Sequence, residues 1–167
     1  MENVNPKLRA KVAEKKRDKL GYFNGKVDYE VITQSNPKEA KVAYKVNMGH
    51  LWRLDSVAYL NFPEHGKQLI DSTMSQAVIR KGSPFNVSNL EQERQRLTRL
   101  FRNHGYYFYQ NGYASYLADT VNTPGKVNLR LSMVDSIEPE ATRQWYIGNI
   151  NINFKKRSEE HTSELQS

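Results

Sequence analysis

The side chains able to do chemistry in this chain are few and scattered. His50, His65 and His104 are each isolated in sequence, and the fourth histidine, His161, lies in a terminal segment of foreign composition. Glu91 and Glu93 would suit acid/base work if they shared a cleft, but two positions apart on a helix they face different ways. They read instead as solvated or paired with Arg94 and Arg96. Asp119, at the end of a strand before Thr120, reads as a turn cap rather than as an acid, base or ligand. There is no Gly-x-Ser-x-Gly elbow, no His-Glu-x-x-His and no Gly-rich phosphate loop. The chain has no cysteine, which removes thiolate metal sites and disulfides. The expectation is a protein with no catalytic residue, no metal and no cofactor.

Ten tyrosines among 25 basic residues raise a different chemistry, the stacking of bases. Tyr29 and Tyr44 stand in register with valines and are expected in a core, whereas Tyr106, Tyr107 and Tyr109 are open to either use. No RNA-recognition signature accompanies them. A small basic α/β nucleic-acid-binding module is therefore the alternative reading.

The elements that carry these residues are organised around Ser88–Leu117. Ser88 and Glu91 have capping-box spacing, and Leu90, Leu97, Leu100 and Phe101 share one helical face, which predicts a helix over 88–104. Gly105 ends it, and 106–118 reads as an aromatic strand with a break near Asn111-Gly112. Upstream, Pro6–Leu20 is helical in composition, with a thin apolar face of Leu8, Val12 and Ala13, and Gly21 closes it. Two alternating runs, with Val27, Tyr29 and Val31 inward on one and Val42, Tyr44 and Val46 on the other, predict a hairpin. Trp52–Phe62 reads as a strand and Lys67–Lys81 as a helix stopped by Gly82-Ser83-Pro84. The run 126–134 is a strand with Val127, Leu129, Leu131 and Met133 inward, and Tyr146–Phe154 alternates once more through Ile150, Ile152 and Phe154.

In this layout the chain repeats itself: Gly21-Tyr22-Phe23 and Gly105-Tyr106-Tyr107 each follow a helix and precede a hairpin, 84 residues apart. The expected fold class is α+β, in tandem β-α-α-β-β modules, each a three-stranded sheet covered on one face by two helices. Residues 1–48 would be the C-terminal part of a first module, 50–134 a complete one, and 144–156 the first strand of a third. Residues 157–167 read as a translated sequencing adapter, to be set aside in fold reasoning. Without that segment's one Arg and three Glu, the 25 basic and 18 acidic residues become 24 and 15, a net charge of +9. Seven of the basic residues lie within the first nineteen, where they read as a solvated helix face or a short-range contact to anionic head groups. No apolar run is long enough for a transmembrane helix, and the first residues have no secretory-signal pattern.

A Lys-Gly-x-Pro-Phe turn (Lys81 to Phe85), a Leu-x-x-Glu-Arg helix (Leu90 to Arg94) and Arg-Asn-x-Gly-Tyr-Tyr (Arg102 to Tyr107), in tandem β-α-α-β-β order, resemble polypeptide-transport-associated (POTRA) domains. Gly21-Tyr22-Phe23-Asn24 and Ala118-Asp119-Thr120 are similar to the version in BamA/TamA-type outer-membrane assembly proteins of Bacteroidota. The resemblance covers residues 1–156. It implies a location at the cell outer membrane, on its periplasmic side, and binding rather than catalysis. The partners implied are nascent outer-membrane proteins, accessory lipoproteins and the family's C-terminal membrane β-barrel, no strand of which occurs here; no nucleic acid is expected. The implied mechanism is β-augmentation, a client strand adding to a sheet edge. In this family the edge is the strand after the second helix, which maps onto Tyr113, Ala114, Ser115, Tyr116 and Leu117, and in the first copy onto Val27, Tyr29 and Val31. Met48-Gly49-His50 and Asp135–Arg143 would be linkers that let modules reorient.

Overall fold

In the computed structural model the described residues are 5–36, 39–121 and 123–154. The segment read as an adapter, 157–167, lies outside them. Helix α1, Pro6–Lys19, starts with Asn5 accepting the Leu8 amide and Pro at its first position, and the chain leaves it through Gly21 at φ 90°. Strand β1 (Tyr22–Phe23) pairs with β4 (His50–Leu51), and between them β2 (Lys26–Thr33) and β3 (Ala40–Asn47) form an antiparallel hairpin. Then come β5 (Arg53–Leu60), α2 (Glu64–Ser72), α3 (Val87–Asn103), β6 (Ala114–Asp119) and β7 (Lys126–Met133).

These last five elements make the α+β unit that the sequence leads one to expect, in the order β-α-α-β-β. The sheet order is β5-β7-β6, with β7 central, parallel to β5 and antiparallel to β6. Val127, Leu129, Leu131 and Met133 all point from β7 into the core. They meet Ile70 of α2 and Leu97 and Phe101 of α3. A bulge in β5 between Leu54 and Ser56 switches the parity of the strand, so Leu54, Val57 and Tyr59 all reach the same core. The opposite face is polar, with Ser56 bonded to Asn128 and Asn61 to Ser132. One layer of helices on one side of the sheet follows from that two-sidedness.

Several local expectations give way to tertiary contacts. Helix α2 begins earlier than Lys67 and stops at Ser72, well short of Lys81. Ser72 and Thr73 hydroxyls bond back to the Leu69 carbonyl, a side-chain alternative to the helical ladder. Beyond them the chain is held by distant partners: the Val78 amide donates to Glu93, Gly82 to the Leu54 carbonyl and Phe85 to the Trp52 carbonyl. Nor is Ser88 the cap of α3. Asn86 accepts the Asn89 amide at 2.8 Å, while Ser88 accepts from Gln92 and Glu91 from Asn111.

The predicted strand over 106–118 is reduced to β6. Gly105, at φ 91°, turns the chain back beneath α3, where Tyr109 stacks on Phe101 at 4.5 Å and Tyr106 meets it edge-on at 5.2 Å. Arg102 bonds the Tyr109 carbonyl, so these aromatics serve as core, not as strand.

The hairpin also departs from its pattern. Val27 is buried, but Tyr29, Val31, Tyr44 and Val46 are exposed, by 42%, 50%, 37% and 49%. A lone two-stranded ribbon has no layer to bury a face against, and α1 covers only the end near Val27, whose amide donates to Glu14. In α1 itself Leu8 and Val12 are exposed, and the buried side is Ala10 and Arg17. Tyr146–Phe154 forms no strand; its alternating Ile150, Ile152 and Phe154 stand at least 70% exposed without a sheet to join.

Candidate functional site

An edge strand offers a row of backbone donors and acceptors, so the question is which edge is open. Beside β5 the turn 82–85 already occupies the first residues: Arg53 bridges Pro84, the Leu54 amide donates to the Ser83 carbonyl, and Gly82 donates to the Leu54 carbonyl. The other edge, β6, pairs only with β7 among the described residues. Val134 donates to the Tyr113 carbonyl at 3.0 Å, and antiparallel alternation then gives Ser115, Leu117 and Asp119 to β7. The backbone groups of Ala114, Tyr116 and Ala118 face away from it. Arg94 takes the Ala114 carbonyl at 2.8 Å, which leaves the N–H and C=O of Tyr116 and Ala118 without a partner among the described residues.

The five positions expected on this edge are therefore not equivalent. Tyr113 lies in the short turn before β6, its carbonyl already used. Ala114 is buried, and Tyr116 is anchored by its hydroxyl to the Leu90 carbonyl at 2.7 Å, with Arg94 over its ring. Ser115 and Leu117 are exposed on the sheet's uncovered face, Leu117 by 62%. The positions named in the first copy lie on a separate sheet: Val27 is covered by α1, while Tyr29 and Val31 are open. The structure does not bring the two sets together into one site.

Behind the edge is a polar network that the pairing of Glu93 with Arg96 only half reveals. Glu93 has no exposed surface; its carboxylate accepts from Arg96 at 2.6 Å, from the Tyr59 hydroxyl at 2.8 Å and from the Val78 amide at 2.8 Å. Arg96 extends the chain to the Thr73 hydroxyl. One carboxylate thus ties α3 to β5 and to the segment after α2. Burial, reinforced by the carboxylate it donates to, holds the Tyr59 hydroxyl well above its ordinary titration range. Burial likewise raises Tyr109 and Tyr116, with Arg94 opposing in both. These shifts belong to packed structural groups.

The geometry therefore defines a two-layer α+β unit with a closed core, one partly covered sheet edge and one edge open among the described residues. No family model and no curated protein matches the chain. Among solved structures it is similar to POTRA domains of BamA. POTRA domains 3–5 of BamA from Haemophilus influenzae share 13% identity at a TM-score of 0.48, with 81% of this chain and 52% of that one covered. BamA from Haemophilus ducreyi lacking POTRA domains 1–3 shares 20% identity at a TM-score of 0.43, over 80% and 24%. The chain spans about half the length of the first and about a quarter of the second.

Proposed function

We propose that this chain is a stretch of tandem POTRA modules on the periplasmic side of the outer membrane, in a protein of the BamA/TamA type. There it would bind extended segments of unfolded outer-membrane proteins, or accessory subunits, by strand addition, without catalysis. The observation that carries this reading is the edge of β6: four backbone groups, on Tyr116 and Ala118, unpaired among the described residues and aligned beside an exposed Leu117. Backbone bonding makes such an edge tolerant of client sequence, and alternate side chains add weak preference. The packing of α3 on the sheet supports it, since α3 ties the edge down through Arg94, which donates to the Ala114 carbonyl, and through the Leu90 carbonyl, which accepts the Tyr116 hydroxyl.

The test is a proline at Ala118. Its N–H faces away from β7, so Ala118→Pro removes an outward donor while leaving the ladder to β7 in place, and edge strands accept proline there. Binding of an unfolded, alternating apolar peptide is expected to weaken by about tenfold with the far-ultraviolet dichroism unchanged. Full affinity in Ala118→Pro would remove β6 as the site.

A further inference from the structure

The two turns that close α1 and α3 each accept the same hydrogen bond from a tryptophan further along the chain. Gly21, at φ 90°, accepts the Trp52 amide at 3.0 Å; Gly105, at φ 91°, accepts the Trp145 amide at 2.7 Å. Each tryptophan leads into an alternating apolar run, Arg53–Leu60 in the first case and Tyr146–Phe154 in the second.

At the first turn Phe85 occupies the place beside the tryptophan, and a smaller groove of about 310 Å³ remains beside Phe23, lined also by Lys19, Phe85, Val87 and Leu90. The Phe85 amide donates to the Trp52 carbonyl at 2.8 Å, and its ring lies 6.1 Å from Phe23, which itself meets Trp52 edge-on at 5.9 Å. The fit leaves no room for a side chain: a Cβ on Gly21 would come within 2.3 Å of the Phe85 carbonyl oxygen. Phe85 closes the turn Gly82-Ser83-Pro84 that precedes α3.

At the second turn the same place is open. A groove of about 690 Å³ is lined by His65, Arg102, Gly105, Tyr107, Trp145 and Ile147. Tyr107, 84 positions after Phe23 in the repeat, is 69% exposed, the Trp145 ring meeting Phe108 edge-on at 5.4 Å instead, and nothing among the described residues donates to the Trp145 carbonyl. The apolar side chains after Trp145 are uncovered as well.

We propose that this groove is the docking seat for another module of the same architecture, entered by a Gly-x-Pro-aromatic turn. The incoming aromatic amide bonds the Trp145 carbonyl, as Phe85 bonds Trp52, and its ring packs on Tyr107. The seat rests on the tandem-module reading above but is independent of what β6 binds.

The test joins a second copy of residues 53–143 directly after Trp145, so that Trp145 takes the place Trp52 has in the first copy. Exchange of the Trp145 amide is expected to slow by about tenfold or more relative to the unaltered chain, and Phe85→Ala in the added copy to reverse this. A folded copy with unchanged exchange at Trp145 would overturn the seat. Should the copy fail to fold, the peptide of residues 81–87 is titrated into the unaltered chain by NMR. Saturable shifts at Gly105 and the Trp145 indole, absent with a Phe85→Ala peptide, support the seat; no shift, or shifts confined to the groove beside Phe23, overturn it. None of these outcomes bears on client binding, which Ala118→Pro reads separately.

Discussion

Glu93 shows most directly how a single side chain holds this unit together. Its carboxylate satisfies Arg96, Tyr59 and the Val78 amide at once, with no surface open to water. Glu93→Ala leaves a guanidinium that is 14% exposed without its partner, and is expected to cost about 3–5 kcal/mol, read as a lowered urea midpoint. Tyr109→Phe is the contrasting case. Its buried hydroxyl has no hydrogen-bond partner among the described residues, so its removal is expected to be neutral or to stabilise by up to about 1 kcal/mol. The raised tyrosines set an alkaline limit. In the unfolded chain Tyr59, Tyr109 and Tyr116 lose protons near pH 10, whereas the folded chain keeps them. Above that pH the unfolded state holds fewer protons, so stability falls as pH rises; below it their contribution is complete. Urea midpoints measured across pH 9 to about 11.5 are expected to drop, and less steeply in Tyr59→Phe or Tyr116→Phe.

Among the elements, β2 and β7 make the instructive comparison, because both alternate cleanly and only one is buried. β7 lies between two strands beneath two helices, whereas β2 has one strand beside it and α1 over one end. Val27→Ala is therefore expected to cost about 1–2 kcal/mol, and Tyr29→Ala or Val46→Ala no more than about 0.5, in thermal unfolding. Backbone amides of Leu129 and Leu131 should exchange far more slowly than those of Ile32 and Thr33. Alternation in a sequence states which side chains share a face; whether that face is covered depends on layers that other segments supply. The same distinction explains the long strand expected after Gly105. Aromatic residues suit strands and cores alike, and the stacking of Tyr109 on Phe101 decided for the core.

For the molecule as a whole, the net charge of +7 is compatible with both a phosphate-rich partner and plain solubility. Under the proposed strand addition at β6, the partner is bound through backbone hydrogen bonds. The affinity for an unfolded peptide is then expected to change by less than about threefold between 50 and 200 mM salt, whereas a protein making several phosphate contacts loses about 10³ or more over that range. Isothermal titration at the two salt concentrations separates these cases.

Short-range patterns in the chain were enough to set the α+β class, the β-α-α-β-β order, the inward set of β7 and the glycine that ends α3. They depend on periodicity, on turn chemistry and on backbone positions that only glycine takes without strain. The position of the β6 edge entered through family resemblance rather than through periodicity. Which of its backbone groups are free and the burial of Glu93 were settled by contacts between residues distant in sequence. The Glu93–Tyr59 bond spans 34 positions, and the turn that covers β5 lies nearly thirty residues from Arg53, whose guanidinium bonds the Gly82 carbonyl. No local pattern encodes such contacts, because burial and pairing belong to the assembled layers and not to any one segment.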